Sequence, residues 1–276
     1  MNLKNVQFIF NRAFSLTFSL KKWLVVFIVL ALCGLLMVFF RALAINAGPW
    51  MLLSLTFLPC FLCTGVLLSL GILLIRIYHD EIKNKPVSYR ETFKKSWEVI
   101  IGSSYFSIPI ILCYLLLWML LGIFVLLTEI PFVGEFFGTV LAFGPFLLNF
   151  GSLALGMLCL ATLFLLTPTM ALNGFTRSRI SQIIAHRLQK DLFSNIFLAL
   201  IAALPLLFFA GLLSLAALLT NAICITCKNP YHSVIEWFFI MIPFTALLSP
   251  AVIFFFNFSA EAHVLIQKNL KLSNQM

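Results

Sequence analysis

Two Cys-x-x-Cys pairs have the spacing in this chain best suited to chemistry: Cys60 and Cys63 in the run LPCFLC, and Cys224 and Cys227 in CITC. A thiolate attacks a disulfide through a mixed intermediate, so an outer dithiol exchanging with an intramembrane one would relay redox equivalents. Pro59-Cys60 is superficially similar to the proline–cysteine motifs of membrane thiol-transport proteins, but those proteins pair two such motifs and this chain has one. Buried cysteine is also a common small apolar filler. Both readings of the four thiols stay open, as does the oxidation state of Cys224 and Cys227. His232 would join them as at most a third zinc ligand, with no fourth in view. No metal and no cofactor is expected.

The elements that must position these residues are long apolar runs. Residues 42–75, 99–128, 136–176, 192–227 and 237–260 contain no Asp, Glu, Lys or Arg, and a sixth run, 23–40, lies between Lys22 and Arg41. Each has at least the ~18 apolar positions that a membrane helix needs. The composition agrees: 62% of residues are hydrophobic and 10% charged, with a mean hydropathy of +1.10, far from the balance of a soluble domain. The expectation is an all-α polytopic bundle with spans near 23–44, 50–77, 99–127, 150–172, 192–219 and 237–260, forming one transmembrane domain over 23–263 with a tail from 264 to 276. The first apolar run follows a polar segment and lacks a small-residue cleavage site after it, which reads as an uncleaved signal-anchor.

A net charge of +9 would suggest nucleic acid in a soluble protein. Here the positions of the basic residues explain it, and no nucleic-acid partner is expected. With six alternating spans and the N-terminus in the cytoplasm, 16 of the 18 Lys and Arg fall on the cytoplasmic side and only Arg41 and Lys228 opposite. By the positive-inside rule both termini are expected inside, in a bacterial inner membrane.

The run 136–176 is too long for one pass, reaching roughly 60 Å at helical rise against a hydrocarbon thickness of about 30 Å. Gly144-Pro145 is the natural break. Residues 135–143 are read as a short helix lying on the outer face, or as a re-entrant segment lining a cavity. Gly144, Pro145 and Asn149 are the candidate pathway residues, since an amide in hydrocarbon wants a partner. Pro59, Pro109, Pro168, Pro205, Pro243 and Pro250 suit a kinked transporter, but proline is also well tolerated in membrane helices.

Three short amphipathic stretches precede spans. Residues 3–22 carry a polar stripe with Phe10, Phe14 and Phe18 on another face, read as an interfacial anchor. Ser88 to Glu91 has a capping-box pattern at a helix start. From Ser178 onward, Ile180, Ile183, Ile184, Leu188 and Leu192 share a face. Lys4, Arg12, Lys21, Lys22, Lys94, Lys95, Arg179, Arg187 and Lys190 are the candidate contacts to anionic lipid headgroups on the cytoplasmic side. Loops 76–98 and 177–191 are candidate surfaces for protein partners, and the oligomeric state is not readable. A shift of 91 residues aligns regions 50–128 and 136–220 as a parallel repeat.

The segments NRAFSLTFSLKKW, GILLIRIYHDEIKNKPVSYRETFKKSW and TPTMALNGFTRSRISQIIAHRLQKDLFSN, in that order, resemble uncharacterised bacterial multi-pass proteins related to the membrane domain of glycerophosphodiester phosphodiesterases. In that group two spans are each followed by a polar juxtamembrane helix. The resemblance covers most of the chain and implies architecture, without a catalytic residue. No carboxylate pair, nucleotide loop or metalloprotease helix is present, so an enzyme is not expected. The first functional reading is a non-enzymatic protein of envelope organisation or assembly. The second is a permease for a small neutral or amphipathic solute, and the third is thiol–disulfide exchange.

Overall fold

The structure, a computed structural model, describes residues 3–44, 49–85, 88–128, 143–173, 177–190, 192–219 and 230–273. Among them are helices and turns and no strand. In chain order the helices are α1 (Leu3–Ser15), α2 (Leu20–Ala44), α3 (Pro49–Ile82), α4 (Tyr89–Ser104), a 3₁₀ turn (Tyr105–Ser107), α5 (Ile108–Thr128), α6 (Gly144–Asn173), α7 (Arg177–Lys190), α8 (Leu192–Leu219) and α9 (Pro230–Ser273). Six segments are long and apolar enough to cross a membrane: α2, α3, the α4–α5 pair, α6, α8 and α9. The protein is an all-α polytopic membrane bundle.

Helix boundaries follow local chemistry. Asn84 takes a left-handed φ of 52°, which asparagine tolerates better than most residues. This lets the Lys85 N–H reach the Asp80 carbonyl and the Asn84 N–H reach that of Glu81, the paired bonds that close a helix C-terminus. Ser88 stands at the N-cap of α4 with extended backbone, but its side chain makes no capping bond, so the expected capping box supplies the boundary and not the hydrogen bond. α6 begins at Gly144, with Pro145 in its first turn, where a missing N–H costs nothing. The expected span 99–127 lies in one apolar stretch that tightens to a 3₁₀ turn at Tyr105–Ser107. Pro109 has no N–H for the Tyr105 carbonyl, and the Ile108 N–H takes that carbonyl in a tighter bond.

Contacts between helix ends set the directions. Lys22 at the start of α2 meets Glu81 at the end of α3. Phe61 of α3 packs on Tyr114 of α5 with ring centroids 4.8 Å apart, and Ser69, further along α3, bonds the Ile100 carbonyl of α4. Gly71 of α3 lies against Thr167 of α6 and Phe256 of α9. Thus α3, α6 and α9 run parallel, while α2, α5 and α8 return outside them. Burial follows this division: 61% of the α3 span and 44% of the α9 span are covered, against 17% for α2 and for α8. α1, α4, α7 and the end of α9 share one end of the bundle, called the basic face below.

Two expectations change. Residues 251–263 of α9 are buried without interruption, and Ile266 beyond them belongs to the same core; the helix runs on to Ser273, so no structural break separates a tail at 264. α1 is more than an interfacial anchor, because Val6, Ile9 and Ala13 are core residues and Phe10 packs edge-on against Phe254 at 5.1 Å. Phe14 and Phe18 remain exposed. The order long helix, short basic helix, long helix does occur twice, in α3–α4–α5 and α6–α7–α8.

Prolines inside α3, α6, α8 and α9 do not interrupt those helices. At Pro250 the freed partner is visible. The Ala246 carbonyl, four residues earlier, accepts the indole N–H of Trp23 at 3.1 Å instead, the kind of substitution that makes proline tolerable in a spanning helix.

Candidate functional site

Polar side chains concentrate where α1, α2, α3, α7, α8 and α9 converge on the basic face. The last carbonyls of α1 lack intrahelical partners. Leu16 O accepts Lys22 Nζ at 3.0 Å, and Ala13 O accepts the amide of Asn257 at 3.4 Å. A cation at a helix C-terminus also complements its dipole. Lys22 then pairs with Glu81, whose side chain keeps 21% exposure against none for Lys22. Glu261, on the next turn after Asn257, accepts the Tyr78 hydroxyl at 2.9 Å and pairs with Arg12 at 3.5 Å. Arg76 ties three helices together, donating to the Ala171 carbonyl of α6 at 3.2 Å and to Ser96 Oγ of α4 at 2.8 Å.

A second node joins α7, α8 and α9. Arg187 is 2% exposed. It donates to Asn195 Oδ1 and contacts His263 Nδ1 at 3.0 Å, while Gln267 closes on the far side of the same ring at 2.9 Å. The Asn195 amide returns a bond to the Arg187 carbonyl at 3.1 Å. Burial lowers the Arg187 pKa from its ordinary value to about 10, so the guanidinium is still charged at neutral pH. Both nodes bind helices to one another. Neither sets a nucleophile beside a free base, the arrangement that covalent catalysis needs.

Lys22 and Arg187 were expected to face lipid headgroups and instead point inward. Lys22 meets the Leu16 carbonyl and the Glu81 carboxylate there, and Arg187 the Asn195 amide oxygen and His263, partners that offset part of the hydration lost on burial. Lys4, Lys21, Lys94 and Lys95 are exposed, and Arg12 divides itself between solvent and Glu261. The side chains of Arg179 and Lys190 lie outside the described residues.

The cysteines assemble differently from their sequence pairing. Cys60 is exposed and its thiol bonds the Thr56 carbonyl of its own helix at 3.6 Å. Cys63 is buried and points to α2, with Sγ 3.8 Å from the Cys33 carbonyl and its thiol in hydrogen-bonding reach of that of Cys33. Cys159 of α6 bonds Thr64 on the same stretch of α3. The Cys60–Cys63 spacing therefore puts its two thiols to different neighbours, and Cys33 and Cys159, which sequence reasoning passed over, are the residues brought close. Among the described residues no group of His, Cys, Asp or Glu is arranged to hold a metal. Cys224 and Cys227 lie outside the described residues, as does the segment 135–142.

One groove of about 620 Å³ opens on the flank of the bundle. Tyr105 and Phe106 come from the turn between α4 and α5, Leu166 from α6, and Ile180, Ser181 and Ile184 from α7. Its walls are mainly apolar. Gly144 and Asn149 take no part in it; they sit toward the opposite end of α6, about 33 Å and about 25 Å from Leu166 at helical rise.

These features define a class, a six-span helical membrane protein with a buried polar collar at one end. No family model, no curated protein and no solved structure matches the chain.

Proposed function

We propose that the protein is a non-enzymatic integral membrane protein that organises or assembles envelope components at a bacterial inner membrane. Its basic face is turned to the cytoplasm and to anionic lipid, and the regions 76–98 and 177–191 offer surfaces to protein partners. The observation that carries this reading is how the inner helices meet. α3, α6 and α9 close on one another through Leu68, Ile72, Phe164 and Phe256, all essentially inaccessible, with Thr167 buried at the same crossing, so the axis a solute would follow is filled, mainly with apolar side chains. The polar groups below it are engaged in joining helices. An unlined apolar axis is poor support for a solute path, because a polar solute crossing it would lose hydration without replacement. The resemblance to the phosphodiesterase membrane domains contributes architecture to this proposal and no catalytic residue.

The test is solute flux in proteoliposomes, read by stopped-flow light scattering with glycerol, urea and a small neutral amino acid. Permeability equal to that of protein-free liposomes is expected. Protein-dependent flux of any of the three would overturn the reading and restore the permease.

A further inference from the structure

We propose that Arg187 holds a chloride ion on its Nη2 nitrogen, enclosed between α7, α8 and α9. The guanidinium is a full charge buried among neutral partners. Asn195 takes Nε, His263 takes Nη1, and Nη2 has no hydrogen-bond partner although it too is sealed from solvent. Among the described residues no salt bridge reaches Arg187; those present join Arg12 to Glu261 and Lys22 to Glu81. The Phe164 ring, 5.8 Å from Cζ, supplies a partial counter-charge only. An uncompensated buried charge and a buried donor without an acceptor both cost stability, and one enclosed anion would relieve both.

Donor geometry selects the anion. A carboxylate or a phosphate pairs best with two guanidinium nitrogens at once. Here Nε and Nη1 are each committed, so neither fork is free and a single-atom ligand fits better. A phosphate would also bring several oxygens to a node with one unpartnered nitrogen, leaving the others buried without donors. Chloride is monovalent and spherical and has no such requirement. The sequence of α7 favours a negative ion as well, with four Lys and Arg and no acidic residue, a bias that raises the local potential. Access is short. Gln267 bonds His263 from one turn further along α9 and is half-buried, so the node lies a single turn beneath the basic face and the ion crosses no apolar span. The site stands apart from any lipid or protein partner of that face.

The experiment is thermal unfolding of the full chain in one detergent, titrated with sodium chloride and, at matched ionic strength, with sodium gluconate. Wild type should show a saturable rise of roughly 3–6 °C over the gluconate series at ten times the Kd. Arg187→Gln should lose that rise, whereas Lys94→Gln, at an exposed position, should keep it. Coincident chloride and gluconate curves in wild type, or a rise that survives in Arg187→Gln, would overturn the proposal. Asp191, four residues after Arg187, lies outside the described residues. A wild type indifferent to chloride beside an Asp191→Asn variant that responds to it would make that carboxylate the counter-ion and equally sink the chloride site. Should Arg187→Gln aggregate, wild-type crystals soaked in bromide decide the matter by anomalous scattering: a peak beside Nη2 supports the ion, and none there refutes it.

Discussion

Trp23 shows how a single side chain can compensate for a sequence defect on another helix. Pro250 removes the amide that would bond the Ala246 carbonyl, and the Trp23 indole supplies a replacement from α2. Trp23→Phe should therefore cost about 1 kcal/mol of stability, the scale of an interhelical hydrogen bond in a membrane. In a Pro250→Ala background the helix bonds that carbonyl itself, and Trp23→Phe should cost measurably less. Packing lost from the indole stacked on Phe27 is the same in both backgrounds, so the double-mutant cycle isolates the hydrogen bond. Equal costs in the two backgrounds, measured by thermal unfolding in one detergent, would show that the bond does not carry this role. The polar collar was less legible than the tryptophan at this scale. Asn257 and Glu261 stand four residues apart on α9 and so share one face of the helix. That spacing was the available signal for the buried network.

Helices were legible from composition, their contacts much less so. Uncharged length located all six spans, because no soluble alternative can bury such runs, and Gly144-Pro145 marked where α6 begins. Which three helices lie inside was not readable from hydropathy, since α8 is as apolar as the core helices and yet faces outward along most of its length. One small residue stands where the three inner helices cross. A Cβ on Gly71 would stand 2.6 Å from Thr167 Cγ2 and closer still to the Phe256 ring, so α3, α6 and α9 approach as they do only because this residue has none. Gly211 of α8 has nothing within 4 Å of the same position. Gly71→Ala should then lower stability by about 1–3 kcal/mol through overpacking, while Gly211→Ala should raise it by up to about 1 kcal/mol through helix propensity alone. Matched unfolding midpoints for the two variants would contradict the inner-trio arrangement.

For the whole molecule, charge and packing make independent statements about the same topology. The helix-end contacts place α1, α4, α7 and the end of α9 together, whichever compartment that end faces. The 16-to-2 division of Lys and Arg then points that end to the cytoplasm. Single cysteines in a variant lacking the seven native ones can separate the two claims: Lys4→Cys on α1, Lys94→Cys on α4, Gln182→Cys on α7, and Phe143→Cys in the turn before α6, all at exposed positions. With a membrane-impermeant maleimide, Phe143→Cys should label on intact cells and the other three only after permeabilisation. If all three label from outside and Phe143→Cys does not, the bundle stands and only its orientation inverts, leaving the basic face on the side away from cytoplasmic partners. If the three disagree with one another, the alternation of spans itself is wrong, and the collar joining α1, α3, α7 and α9 cannot exist as described. The charge rule alone could not distinguish these failures, because it assigns sides only after the spans have been counted.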